Sequence, residues 1–450
     1  MLPQDWAKRN TPPRNLELPG GWPELKARYG PLAGTDKALQ SVLDVAEANA
    51  CTQVSIEYDY IDADYRDEFA HFYATTFRPL PDRCERLHFL ADDEYKGFSV
   101  IRPIVERPVC RTVMRPPPDL EMHTACLAPC PVTPYGVRYH PTGFPFLSQD
   151  YQYGVCAHAA IWMIAYYHHL KSHRGRYFIS DVVDAARQHD VARSIPSNGL
   201  HQLQIAAAFR NLKLSPIQYV SETLSDINES FERLACRYLN SALPVLLLLP
   251  GHAIVLIGYG RRSNGDLFFV CHDDAVGPYR TIGDSTSDPE RPWQGLLVPL
   301  PDKIYLTAEA AERVGREHLS VLIATEDDLS DLRALETRYR TYVCSSADYK
   351  MRLTDRGLPG DVVRWHRLIG ASHYVWIVEL QDAAAAAQGR ECVIGEIAID
   401  ATSDPLTPLP LAAHLPGRVL GWTEINGAMR QASSGQDLGG RFETATAVHA

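Results

Sequence analysis

The sequence predicts an α+β protein, with a helical half and an antiparallel β half in the middle of the chain and a mixed α/β module on either side. Three observations carry this expectation. The chain has 450 residues, too many for one ordinary domain and enough for two or three with their own cores. From Ala157 onward, Ala160, Met163, Ile164 and Tyr167 recur at intervals of three and four, which predicts a helix with a broad apolar face opening at Cys156. Further on, the aliphatic runs HAIVLIGY and DLFFVCHD are joined by RRSNG, whose Asn-Gly favours the backbone of a tight hairpin.

The remaining elements follow in chain order. Residues 1 to about 35 are rich in Pro and Gly and read as an extended arm, leading into a helical stretch, DKALQSVLDVAEANA. TQVSIEYDYI alternates as a strand does. GFSVIRPI and VCRTVM then form a second strand pair, closed by RPPPD, and complete a first module over 1–119. The central domain is expected over 120–315. Beyond the Cys156 helix it holds ISDVVDAARQHD and LHQLQIAAAFRNL, two helical stretches separated by the turn signal SIPSNG. A further helix, LSDINESFERLACRYLNSA, precedes the strand run PVLLLL. A C-terminal α/β module is expected over 316–430, with a charged helix EDDLSDLRALETRYRTYV and two strands, HYVWIVEL and ECVIGEIAIDA. Residues 431–450 are polar and contain glycine, the composition of a disordered tail.

Composition narrows the function classes. A formal charge of -11 provides no overall basic field to draw the protein onto nucleic acid or anionic lipid. The first twenty residues mix charges with prolines and lack the apolar core of a signal peptide, and no run approaches membrane-spanning length. Ten cysteines in a chain of this size are too sparse for a disulfide scaffold, so they are expected as thiols in a cytoplasmic protein. His123, Cys126 and Cys130 invite a zinc reading, but three ligands at irregular spacing without a second pair read as ordinary loop residues. Neither a metal nor an organic cofactor is expected, and the oligomeric state is not legible.

A thiol attacks a carbonyl as the thiolate, which a helix N-terminus and a neighbouring histidinium both favour. Cys156 meets the first condition by its place in the sequence. His252 fits the second: it opens an apolar strand directly after Pro250 and Gly251, where a polar ring has no packing purpose. The following strand ends in Asp273 and Asp274, and a hairpin brings either acid beside the imidazole to fix its tautomer. Acyl transfer also needs a hydrogen-bond donor for the oxyanion, and the amide side chains of Gln149 and Gln152 stand shortly before the cysteine in the sequence.

This order, glutamine then a helix-opening cysteine, a histidine heading an aliphatic strand, and an aspartate closing the next strand before a glycine, resembles the papain-like cysteine peptidase superfamily. It is nearest to the bacteriocin-leader-processing peptidases of bacteria. The resemblance spans about residues 143–300. It implies a catalytic domain of helical and β halves with a cleft between them, a protein or peptide substrate, and a peptide or isopeptide bond hydrolysed through a thioester. The family's Asp-Pro-x-x-Gly corresponds to Asp273, Asp274, Ala275, Val276 and Gly277, which makes Asp273 the orienting residue. The motif departs around the cysteine: Val155 and Ala157 flank it where the family has aspartate and glycine, and the family's glutamine position falls on Asp150, between Gln149 and Gln152.

Taken singly, each residue has a plainer reading. A lone cysteine at a helix start is usually inert packing, and His272 points to the opposite face of its strand from Asp273 by the period of two. His158, His168 and His169 read mostly as surface residues of the Cys156 helix, and Trp162, Tyr166 and Tyr167 as core. Two other functions share the pattern. One is transglutaminase- or deamidase-type acyl transfer on the same Cys-His-Asp framework, which amine incorporation distinguishes. The other is a binding or scaffold protein whose thiol has lost its role.

Overall fold

The computed structural model describes residues 13–438 except 19, 34–35, 77–79, 93, 105–106, 150–155, 188–198, 326, 356–359, 388–391, 426–427. It is a mixed α plus β structure with several antiparallel sheets. The chain divides into two compact units, Met1–Ala235 with Ala242–Leu300, and Cys236–Ser241 with Pro301–Ala450.

The first unit is built on two sheets. One is five-stranded, in the order Arg14–Glu17, Gln53–Tyr60, Cys84–Ala91, Glu94–Ile101, Val109–Met114. Its last two strands are the predicted pair GFSVIRPI and VCRTVM. The arm holds more structure than its Pro and Gly content predicts, with that first strand and a helix, Trp22–Ala33. Helix Lys37–Ala48 begins at Asp36, whose carboxylate accepts the Leu39 N–H at 2.7 Å and supplies the N-cap. The second sheet carries the predicted hairpin at its centre: Val245–Leu249, His252–Arg261, Leu267–Asp273 and Gly277–Ile282 run antiparallel in sequence order, and Gly295–Leu300 and Ser215–Val220 extend the other side.

Helix Cys156–Ser172 is buried all round from Ala157 to His168, wider than the single apolar face its spacing suggests. Such a helix sits inside a core rather than on it. Its polar groups are matched individually. Trp162 Nε1 donates to Asp64 at 3.2 Å, Arg111 donates to the Tyr166 hydroxyl at 3.1 Å, and the Tyr167 hydroxyl donates to the Ala242 carbonyl at 2.9 Å. His168 is also interior, not surface, and burial pushes its imidazole down to about 3, so it is neutral.

Helices Ile179–Arg187 and Gln202–Asn211 fall where the sequence places them. The single helix expected over LSDINESFERLACRYLNSA is two, Ser221–Ile227 and Phe231–Asn240, because Asn228 turns left-handed at φ 54° and ends the first.

The second unit has a six-stranded antiparallel sheet in sequence order from Thr337–Ser345 to Ala428–Leu438. The stretch expected as one charged helix is instead a short 3₁₀ segment, Asp327–Ala334, followed by strand Thr337–Ser345, whose Thr and Tyr residues favour extended backbone. HYVWIVEL and ECVIGEIAIDA are neighbouring strands, as expected. Strand Ala428–Leu438 occupies the front of the stretch read as a disordered tail, and 439–450 lie outside the described residues. No described helix is long and apolar enough to cross a membrane.

Candidate functional site

Cys156 is the first residue of its helix and is partly exposed, so its sulfur meets the positive end of the helix dipole. His252 is delivered by a tight hairpin: Leu249 pairs directly with His252, and between them Gly251 takes φ 66°, a conformation that favours glycine. The imidazole therefore stands at the mouth of the sheet. Strand Leu267–Asp273 runs back alongside, pairing Val255 with His272, so Asp273 ends beside the start of the histidine strand.

The side chains meet there. His252 Nε2 donates to Asp273 Oδ1 at 2.8 Å, while Asp274 Oδ1 is 3.9 Å away. The Cys156 thiol is hydrogen-bonded to the same ring. With Nε2 engaged by Asp273, Nδ1 is the nitrogen left for the sulfur.

Burial opposes charge on His252, but the bonds to Asp273 and Cys156 and the charges of Asp273 and Asp274 outweigh it and push the imidazole up to about 10. Asp273 moves the opposite way. Burial raises its carboxyl, and the His252 bond and charge, the Ala275 N–H and Arg291 together bring it below its ordinary value. Asp274 is fully buried, neither of its oxygens has a hydrogen-bond partner, and burial with the Asp273 charge pushes it up to about 7. The site is thus an imidazolium between a thiol and a carboxylate, with a second acid close by.

His252, Asp273 and Asp274 are also close enough together to hold a metal ion. Here Nε2 is taken by Asp273, while Arg291 and Arg107 bring positive charge to the two acids, an arrangement suited to an ion pair.

The acid turn is fixed from within and from outside. The Ala275 N–H donates back to Asp273 Oδ1 at 3.0 Å, and the Ser41 hydroxyl donates to the Pro278 carbonyl at 3.2 Å. Gly277 has φ 132°, and a Cβ there would run into Ser41. Gly277→Ala is therefore expected to displace the turn and slow alkylation of Cys156 severalfold; a variant with the parent's rate and thermal midpoint would show that the turn tolerates the shift.

In front of the thiol and the imidazole lies a groove of about 590 Å³. Cys156, Ala157, His252 and Ala253 form one end, and Gly199–Leu203, Ile205, Leu248, Leu249, Gly251 and Gln294 its walls. Leu203 is 77% exposed, so an apolar side chain is held out at the rim.

Cys156, His252 and Asp273 are thus brought together. Gln149 is buried and is not among the residues lining the groove, and Gln152 lies outside the described residues. His272 faces away, fully buried with its ring edge-on to Phe144, Phe146 and Tyr279. Cys126 and Cys130 are buried thiols whose pKa burial raises, and His123 packs edge-on to Tyr259. The wall residues His201, Gln202 and Gln294 carry no signal in the sequence beyond the turn at SIPSNG.

No protein-family profile and no curated protein matches the chain. Among solved structures, a double glycine motif protease from an AMS/PCAT transporter, in complex with the leader peptide, is similar at 20% identity over 34% of this chain and 91% of that one, with a TM-score of 0.23. UfSP from C. elegans is similar at 14% identity over 35% of this chain and 33% of that one, with a TM-score of 0.25. The chain thus spans about a third of the second protein. Both likenesses are partial and distant.

Proposed function

We propose that the protein is a papain-like cysteine peptidase that hydrolyses a peptide or isopeptide bond of a protein or peptide bound in the groove. The observation that carries this reading is the 2.8 Å bond from His252 Nε2 to Asp273, made by the ring that also holds the thiol of a helix-opening cysteine.

His252 already carries its proton, so loss of the Cys156 proton to solvent leaves a thiolate beside the imidazolium. The sulfur attacks the carbonyl carbon, and the negative charge passes to the carbonyl oxygen. The Cys156 backbone N–H, with Gln149 or Gln152, supplies the donors for that oxygen. When the C–N bond breaks, His252 returns its proton to the leaving amine and a thioester remains. Water then loses a proton to His252 as it adds to the thioester, releasing the acid and restoring the thiolate and imidazolium. Asp273 keeps the ring oriented and stabilises its charge without itself taking the proton.

The competing thiols favour a clean test. Cys51, Cys84, Cys110, Cys126, Cys130 and Cys271 are buried, and burial raises the pKa of each. An electrophilic amide probe read by peptide mass spectrometry near pH 6 is expected to label Cys156 roughly a hundredfold faster than the other nine cysteines. His252→Ala is expected to abolish that advantage. Labelling of Cys156 no faster than the rest would remove the reading.

A further inference from the structure

The proposed chemistry uses only residues from Gln149 onward, and the resemblance begins at about residue 143, yet hydrogen bonds from the earlier part of the chain reach the Ser148 carbonyl and the Ala275 carbonyl beside Asp273. Arg102 follows strand Glu94–Ile101 and is almost fully buried. Its guanidinium donates to the two Glu68 oxygens at 2.8 and 2.7 Å and to the Ser148 carbonyl, on the run leading to Cys156, at 2.8 Å. Its Nε donates to the carbonyl of Arg107 at 2.9 Å.

Arg107 extends the connection. Its Nη1 donates to Asp36 Oδ2 at 3.3 Å and to the Ala275 carbonyl at 3.1 Å. The N–H of Ala275 in turn reaches Asp273 Oδ1, the same oxygen that accepts from His252. One chain of bonds therefore runs from Ser148 through two arginines to the carboxylate behind the imidazole. Asp36 caps the helix whose Ser41 holds the far side of that turn, so the anchor is itself fixed.

From this geometry, and resting on the peptidase reading above, we propose that Arg107 is a positioning residue for Asp273. The five-stranded sheet and helix Lys37–Ala48 then belong to the catalytic apparatus, and the working unit begins well before the segment that resembles papain-like enzymes. Asp273 Oδ1 holds both the ring and its own turn, so any rotation of the turn draws the oxygen off Nε2. Arg107 also supplies positive charge to Asp274. The charged groups around the imidazole are then Cys156, Asp273 and Asp274, with Arg107 and Arg291 beyond the acids.

The test follows the rate of Cys156 alkylation against pH in the full chain. Where the imidazolium is held less firmly, the thiol keeps its proton to higher pH, so the acid limb of the profile moves up. Arg107→Met is expected to move it up by about half a pH unit or more and to lower the rate at pH 6 roughly fivefold, and Arg107→Lys to recover part of both. Asp36→Asn retains an N-cap side chain while weakening the Arg107 anchor, and is expected to move the limb in the same direction by less. It decides the matter should Arg107→Met fail to fold. A parental pH profile in folded Arg107→Met, or in Asp36→Asn when the former does not fold, overturns the proposal and leaves the peptidase reading standing. Absence of fast, His252-dependent labelling in the parent chain overturns both.

Discussion

Turnover of a peptide amide is expected to persist from mildly acidic pH to about pH 10, and in His252→Ala to fall by a factor on the order of 10⁴ or more at every pH in that range. On the peptidase reading, one imidazolium serves two purposes: it makes the thiolate a low-energy species, and it carries the proton the leaving amine needs. Both are lost when the ring loses its proton, so the alkaline limit is set by the value of about 10 that the Asp273 and Cys156 bonds impose against burial. The variant has no proton carrier at all. A kcat/KM profile whose alkaline limb lies near pH 7 would mean that Asp273 does not hold the ring as its 2.8 Å bond implies.

The same pair contributes to stability, with opposite signs for its two members. His252 is raised from 6.5 to about 10, so its contribution is complete below 6.5, declines between those values and is gone above 10. Asp273 is lowered, so its contribution is complete above the ordinary aspartate value and is lost as pH falls through its depressed one. The pair is therefore strongest in mildly acidic solution, the region in which an ordinary thiol would be unreactive.

Cys156 and His252 were legible as a candidate pair because each leaves a local mark. Helical spacing begins at Cys156, and a histidine stands at the head of an otherwise aliphatic strand. The choice between Asp273 and Asp274 was not local, because it depends on the register of the hairpin, and a shift of one residue exchanges the two faces. The groove wall at Gly199–Leu203 and Gln294 was illegible for a similar reason: those residues become neighbours of His252 only through the order of the sheet. Hydrophobic periodicity located the Cys156 helix but understated its burial, since His158 and His168 look polar in sequence and are interior in the fold. The charged stretch near Asp327 misled because charge pattern suggested a helix where the Thr and Tyr residues of Thr337–Ser345 complete a sheet edge. Nothing local distinguishes Arg102 and Arg107 from surface arginines, and their partners are mostly far away in the sequence.

That distance makes the buried arginine a sharp test of how the first unit is held together. Arg102→Met is expected to destabilise the first unit by about 3–5 kcal/mol. The methionine fills much of the space, so cavity formation contributes little. The loss arises from Glu68, left with its charge in a site where the two side chains are 0% and 5% exposed. Adding Glu68→Leu removes that charge, and the double variant is expected to recover most of the stability, since an apolar pair of similar volume avoids the desolvation that the ion pair must overcome. Denaturant unfolding followed at the buried Trp162 measures the cycle in the unit that contains the pair. A single-variant loss below about 1 kcal/mol would show that the pair is not what fixes Glu68. Recovery of stability should not bring recovery of reactivity. The leucine restores neither the donor to the Ser148 carbonyl nor the donor to Arg107, so the double variant is expected to fold like the parent while its Cys156 alkylation profile stays displaced, separating the arginine's part in the fold from its part in the site.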